Sequence, residues 1–80
     1  MVEATVKRVD VAGRTLVIEV ADGREVSLVF RDDTYIEVME PATTGRIAGS
    51  LEDIHEGYLV EVEFTEGDSP CACRSLISIS

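Results

Sequence analysis

Cys71-Ala72-Cys73 is the residue set in this chain with the most chemistry available to it. Two thiols at i and i+2 of an extended segment project from one face. Their Cα atoms then stand about 6.5–7 Å apart, at or beyond the edge of disulfide geometry. An internal bridge would need a bend, which Pro70 just before the pair allows. Three readings stay open. Both cysteines are small buried hydrophobes, because free cysteine is among the most buried residue types. Or they are a redox pair or disulfide, with compartment deciding between the two. Or they bind metal. Two thiolates do not close a tetrahedral zinc site. His55, the single histidine, could add a third ligand, or a dimer could bring four cysteines together. By itself His55 reads as a partly exposed structural histidine; the alternative is a ligand or general base.

The remaining candidates are weaker. Asp32-Asp33, with Asp10 or Asp22, resembles a calcium cluster only in composition. The alternating acidic loop pattern that calcium needs is missing, so these residues read as solvated turn formers. No nucleophile elbow, phosphate loop, zinc-protease helix or dinucleotide fingerprint occurs. The expectation is therefore a chain that is not an enzyme, with no catalytic residues.

Charge narrows the partners. The formal net charge is −9. Residues 1–40 hold nine acids and five bases, residues 41–80 seven and two, so neither half is basic. Phosphate neutralisation supplies most of a nucleic-acid binder's affinity, and no concentrated positive surface is available for it. Of the four aromatic residues Phe30, Tyr35, Tyr58 and Phe64, three (Phe30, Tyr58 and Phe64) have the parity of core residues, so outward aromatics for a stacking platform are few. The bland reading of the charge is solubility; the sharper one is a basic partner. No run approaches the roughly 20 apolar residues that span a bilayer. Met1-Val2-Glu3-Ala4 has neither a basic stretch nor an apolar signal core. The chain is expected in the cytoplasm, or in the periplasm if a signal peptide has been removed.

The elements that must hold these residues follow from period. Val2, Ala4 and Val6 alternate in a first strand at residues 2–9, with a bulge or strand end near Arg8 where parity slips. Asp10-Val11-Ala12-Gly13 is a turn. Leu16, Ile18 and Val20 share a face in a second strand, and Val26, Leu28 and Phe30 in a third. A two-residue Asp22-Gly23 turn would set polar residues on the core face. A three-residue loop, Ala21-Asp22-Gly23 with Gly23 left-handed, pairs Ile18 with Val26 and Leu16 with Leu28. Residues 35–39 form a short strand or extended arm, 40–45 a loop, and 46–48 a segment that pairs back. Ser50, with Asp53 as a capping box, starts a two-turn helix carrying Leu51, Ile54, His55 and Tyr58 at helical spacing, and Gly57 stops it. Tyr58, Val60, Val62 and Phe64 set the core face of a fourth strand. A turn at 66–70 leads to a fifth strand at 72–79, where Cys71, Cys73, Ser75, Ile77 and Ile79 share a parity and Leu76 takes the other face.

Eighty residues make one domain, residues 1–80, with one compact core. The expected architecture is all-β: a small five-stranded OB-like barrel with one short helix between strands three and four. The strand order resembles the OB-fold. The detailed layout resembles a family of small uncharacterised bacterial OB-like domains, on Val6-Lys7-Arg8-Val9-Asp10, Leu16 to Val20, Asp33-Thr34-Tyr35-Ile36, Leu51 to Val62 and Leu76-Ile77-Ser78-Ile79. The resemblance spans nearly the whole chain and carries structural motifs only, so it implies a fold and no catalytic residues. The cysteine pair lies outside that pattern.

Outward apolar residues remain: Val17 and Val29 on the meander and Leu59 on the fourth strand. A contiguous set would mark a protein-binding or dimer face. The leading expectation is thus a non-enzymatic acidic interaction module for protein, possible contacts Val17, Val29 and Leu59. The second is a metal-handling or redox protein using Cys71 and Cys73, with zinc held by Cys71, Cys73 and His55. The third is an OB-type nucleic-acid binder.

Overall fold

A computed structural model describes residues 2–39, 45–65, 67 and 70–79. Residues 40–44 of the loop expected at 40–45, and the turn residues 66, 68 and 69, lie outside these. Alternation of apolar and polar residues drives the first part of the chain into an antiparallel meander of β1 (Val2–Asp10), β2 (Thr15–Val20) and β3 (Glu25–Val29). Lys7 is the extra residue of a bulge between Val6 and Arg8, so β1 continues past the parity slip to Asp10. The second hairpin has the three-residue loop. The Val20 amide donates to Arg24 O at 2.9 Å, Ile18 faces Val26 and Leu16 faces Leu28. Gly23 sits at φ 88°, where a side chain is strained.

The chain then forms β4 (Tyr35–Met39), β5 (Arg46–Ala48), β6 (Leu59–Phe64) and β7 (Cys71–Ser78). Strand order is β3-β2-β1-β6-β7-β4-β5, and β3 also pairs with β7 in parallel. That last pairing closes β1, β2, β3, β7 and β6 into a five-stranded barrel. The β4–β5 hairpin continues the sheet beyond the closure, β4 running parallel to the second half of β7. Thr34 bridges the step from β3 to β4. Its hydroxyl accepts from the Arg31 amide at 2.9 Å and donates to Cys73 O at 2.8 Å.

Two expectations are corrected. The helix at 50–57 is only a 3-10 turn, Leu51–Asp53, followed by extended Ile54. Two turns of helix are barely stable without tertiary support. Here the chain instead makes tertiary hydrogen bonds, Gly57 N to Val6 O at 2.8 Å and Val6 N to Tyr58 O at 2.9 Å. The apolar spacing still has its use, since a 3-10 turn also stacks i and i+3, and Leu51 and Ile54 are both buried in the core. The Ser50–Asp53 cap is present, the Ser50 amide donating to Asp53 Oδ2 at 2.9 Å. Gly57 is left-handed at φ 90°, but in a turn rather than at a helix end.

The second correction concerns β7. Glu63 faces Ser75 while Phe64 faces Cys73, so Arg74 is an extra residue and parity flips across it. Cys71 and Cys73 point inward, and beyond the bulge Leu76 and Ser78 do. Ile77 and Ile79 therefore face out and do not pack beside the thiols. The core gathers Ala4, Val6, Leu16, Ile18, Val20, Leu28, Phe30, Val60, Val62 and Leu76 from every barrel strand. Each fully buried aliphatic side chain of this size contributes roughly 1.5–3 kcal/mol.

Candidate functional site

Cys71 and Cys73 occupy the start of β7, where the barrel closes on β3 through Leu28 and Val29. They are 9% and 4% exposed and not bonded to each other. Burial is the largest influence on the Cys73 thiol and pushes it up to about 12; a backbone hydrogen bond with Ser75 works in the opposite direction. The group is thus a neutral thiol across the physiological range, whereas nucleophilic and metal-binding cysteines act as thiolates.

His55 is elsewhere. It is exposed, meets Tyr58 edge-on at 5.3 Å, and lines a recess of about 300 Å³ with Val38, Met39, Ile47, Asp53 and Ser78. Ser78 lies five residues along β7 from Cys73, roughly 16 Å at strand rise. The structure does not bring His55 to the thiols. Among the described residues no three His, Cys, Asp or Glu side chains are grouped for a metal. No helix among them is long and apolar enough to cross a membrane. The acidic turn residues act locally: Asp10 accepts from the Gly13 amide at 2.9 Å, and Asp32 pairs with Arg14 at 2.8 Å.

The outward valines and leucine separate into two places. Val17 faces Ser27, and Val29 faces Thr15 one row further on, so the valines are diagonal neighbours on the meander. Leu59 lies on β6 opposite Thr5, which in turn faces Glu19. Those polar residues stand between Leu59 and the valines.

Leu59 has other neighbours. On the outer face of β6, β7 and β4, alternation places Leu59, Glu61 and Glu63 beside Ser75, Ile77 and Ile79, and these beside Tyr35, Glu37 and Met39. Ile79 N donates to Leu59 O at 2.8 Å, which fixes that end of the row. Tyr35 is 50% exposed, Met39 38% and Leu59 36%. Uninterrupted alternation of β7 turns Ile77 and Ile79 inward, and a short strand or arm at 35–39 with no assigned partner gives Tyr35 and Met39 no face, so the sequence does not single out these four as surface candidates. Leu76, out of step with the cysteines, was the one signal of the bulge in the sequence.

Carboxylates interleave with this apolar set. One row crosses five strands as Glu3, Glu61, Ile77, Glu37 and Ala48. Glu37 pairs with Arg46 at 3.6 Å and accepts the Tyr35 hydroxyl, a bond that raises the tyrosine above its ordinary value. Glu63 reaches Arg74 at 3.9 Å. Glu3 and Glu61 face each other directly, and neither makes an ion pair among the described residues. Like charges in that position repel. No protein-family model matches this chain, and no curated protein matches it.

Proposed function

We propose that this chain is a non-enzymatic, acidic interaction module that binds protein through the outer face of β6, β7 and β4. The observation that carries the reading is the cluster of Tyr35, Met39, Leu59, Ile77 and Ile79 on one side of a small barrel. Single exposed apolar residues are ordinary on a protein surface, whereas neighbouring ones mark contact sites. The non-enzymatic part is supported by the buried thiols and by a histidine engaged with Tyr58 far from them. The scaffold is read as OB-like, of the small bacterial kind that the sequence resembles. The support is the barrel circuit with its parallel β3–β7 closure and a connecting excursion between the third and fourth barrel strands. Two cysteines that form no disulfide with each other fit a cytoplasmic setting.

A photo-activatable cross-linking residue tests this, placed at Ile77 and, as a control, at Val17, in cells making the chain. A discrete heavier protein species from position 77 and none from 17 is expected. No species from 77, or equal cross-linking from both, would refute the chosen face.

A further inference from the structure

Resting on that reading, we infer that the partner is a basic protein segment in which cationic side chains flank an apolar one, seated across Glu3, Glu61, Ile77 and Glu37. The argument is charge complementarity on an apolar sheet face. Ile77 lies between Glu61 and Glu37 in one row, one strand from each. The Cα atoms of the two glutamates are therefore about 10 Å apart with an isoleucine between them. Glu3 extends the row on the far side of Glu61. Arg46 answers Glu37 from the neighbouring strand, and no base among the described residues pairs with Glu3 or Glu61.

Opposed like charges cost stability on a sheet. A lysine or arginine arriving between Glu3 and Glu61 removes that repulsion, and an apolar neighbour covers Ile77, Ile79 and Leu59. A second copy of the chain is a poor occupant. It carries the same net charge of −9 and brings the same carboxylate row to the contact. Complementary charge also speeds encounter and rejects like-charged surfaces, so it selects partners as well as holding them.

Amide NMR of the full chain provides the test, with three capped heptapeptides X-Thr-Val-Thr-X-Thr-Val as probes, X being lysine, threonine or glutamate, so that X and valine share one face of the extended peptide. The lysine peptide is expected to shift amides at 35–39, 59–63 and 75–79, and added salt should weaken it. The double variant Glu3→Gln/Glu61→Gln should weaken that binding roughly tenfold, the combined worth of two exposed charge pairs. This variant removes a repulsion and keeps the core, so its fold is preserved. If the threonine peptide binds the same face equally well and the glutamines change nothing, the basic partner is refuted while the face remains. If shifts at this face grow with protein concentration alone, the occupant is a second copy and the inference fails. If no peptide moves these amides, both the inference and the face fall.

Discussion

Cys73 offers the sharpest test of how the barrel treats its thiols. Replacing Cys71 by alanine isolates it, at the cost of one small buried atom. The folded thiol is pushed up to about 12 from an ordinary 9.0, mainly by burial. That rise lowers the thiolate fraction at pH 8 by about 1,000-fold relative to the unfolded chain. Reaction goes through the thiolate, so labelling of the native Cys71→Ala protein by a disulfide reagent should be slower than in denaturant by about that factor. The same shift predicts the pH dependence. Below 9 the thiol is protonated in both states. Between 9 and about 12 the unfolded chain releases the proton and the folded one holds it, so stability falls as pH rises. The loss approaches roughly 1.4 kcal/mol per pH unit and disappears in the Cys71→Ala/Cys73→Ala protein. The assay is stopped labelling read by mass spectrometry, beside urea titrations of both variants from pH 8 to 11. Native labelling within tenfold of the denatured rate, or identical pH slopes in the two variants, would refute the buried neutral thiol.

Leu28→Ala, at a side chain with no exposure, should cost about 2–5 kcal/mol in chemical denaturation, the range for cavities in packed cores. Thr34→Val removes both the bond from the Arg31 amide and the bond to Cys73 O; about 1–3 kcal/mol should be lost, with amide exchange accelerated at residues 31–36. Glu61→Lys turns the repulsion by Glu3 into attraction and should stabilise by about 0.2–1 kcal/mol in low salt, the gain shrinking as salt is added.

The meander was legible because its signals are local and agree. The three-residue loop at Ala21-Asp22-Gly23 follows from matching two apolar faces, and β2 and β3 pair in that register. The bulge in β1 announces itself because Val9 and Val11 break the alternation. The helix failed for a different reason. Leu51, Ile54 and Tyr58 have helical spacing, yet a turn and an extended crossing bury Leu51 and Ile54 equally well. Hydrogen bonds from a distant strand decided between them, and no window of sequence contains Val6 together with Gly57.

The candidate face was largely illegible for the same kind of reason. Alternation marks Leu59 as outward, but carried straight through β7 it turns its neighbours Ile77 and Ile79 to the core side. The bulge at Arg74 depends on β7 serving β6 along one edge and β3 then β4 along the other. Burial of the two cysteines was among the readings open from residue type alone; their distance from His55 was not.

What the amino-acid order determined by itself is the alternation, the turns and the surplus of acid, because each depends on residues a few positions apart. Tertiary structure alone decided the closure of β3 on β7, the facing of Ile77 and the meeting of Glu3 with Glu61. These unite segments far apart in the chain, and strand register, which only the assembled sheet defines, sets which side chains share a surface.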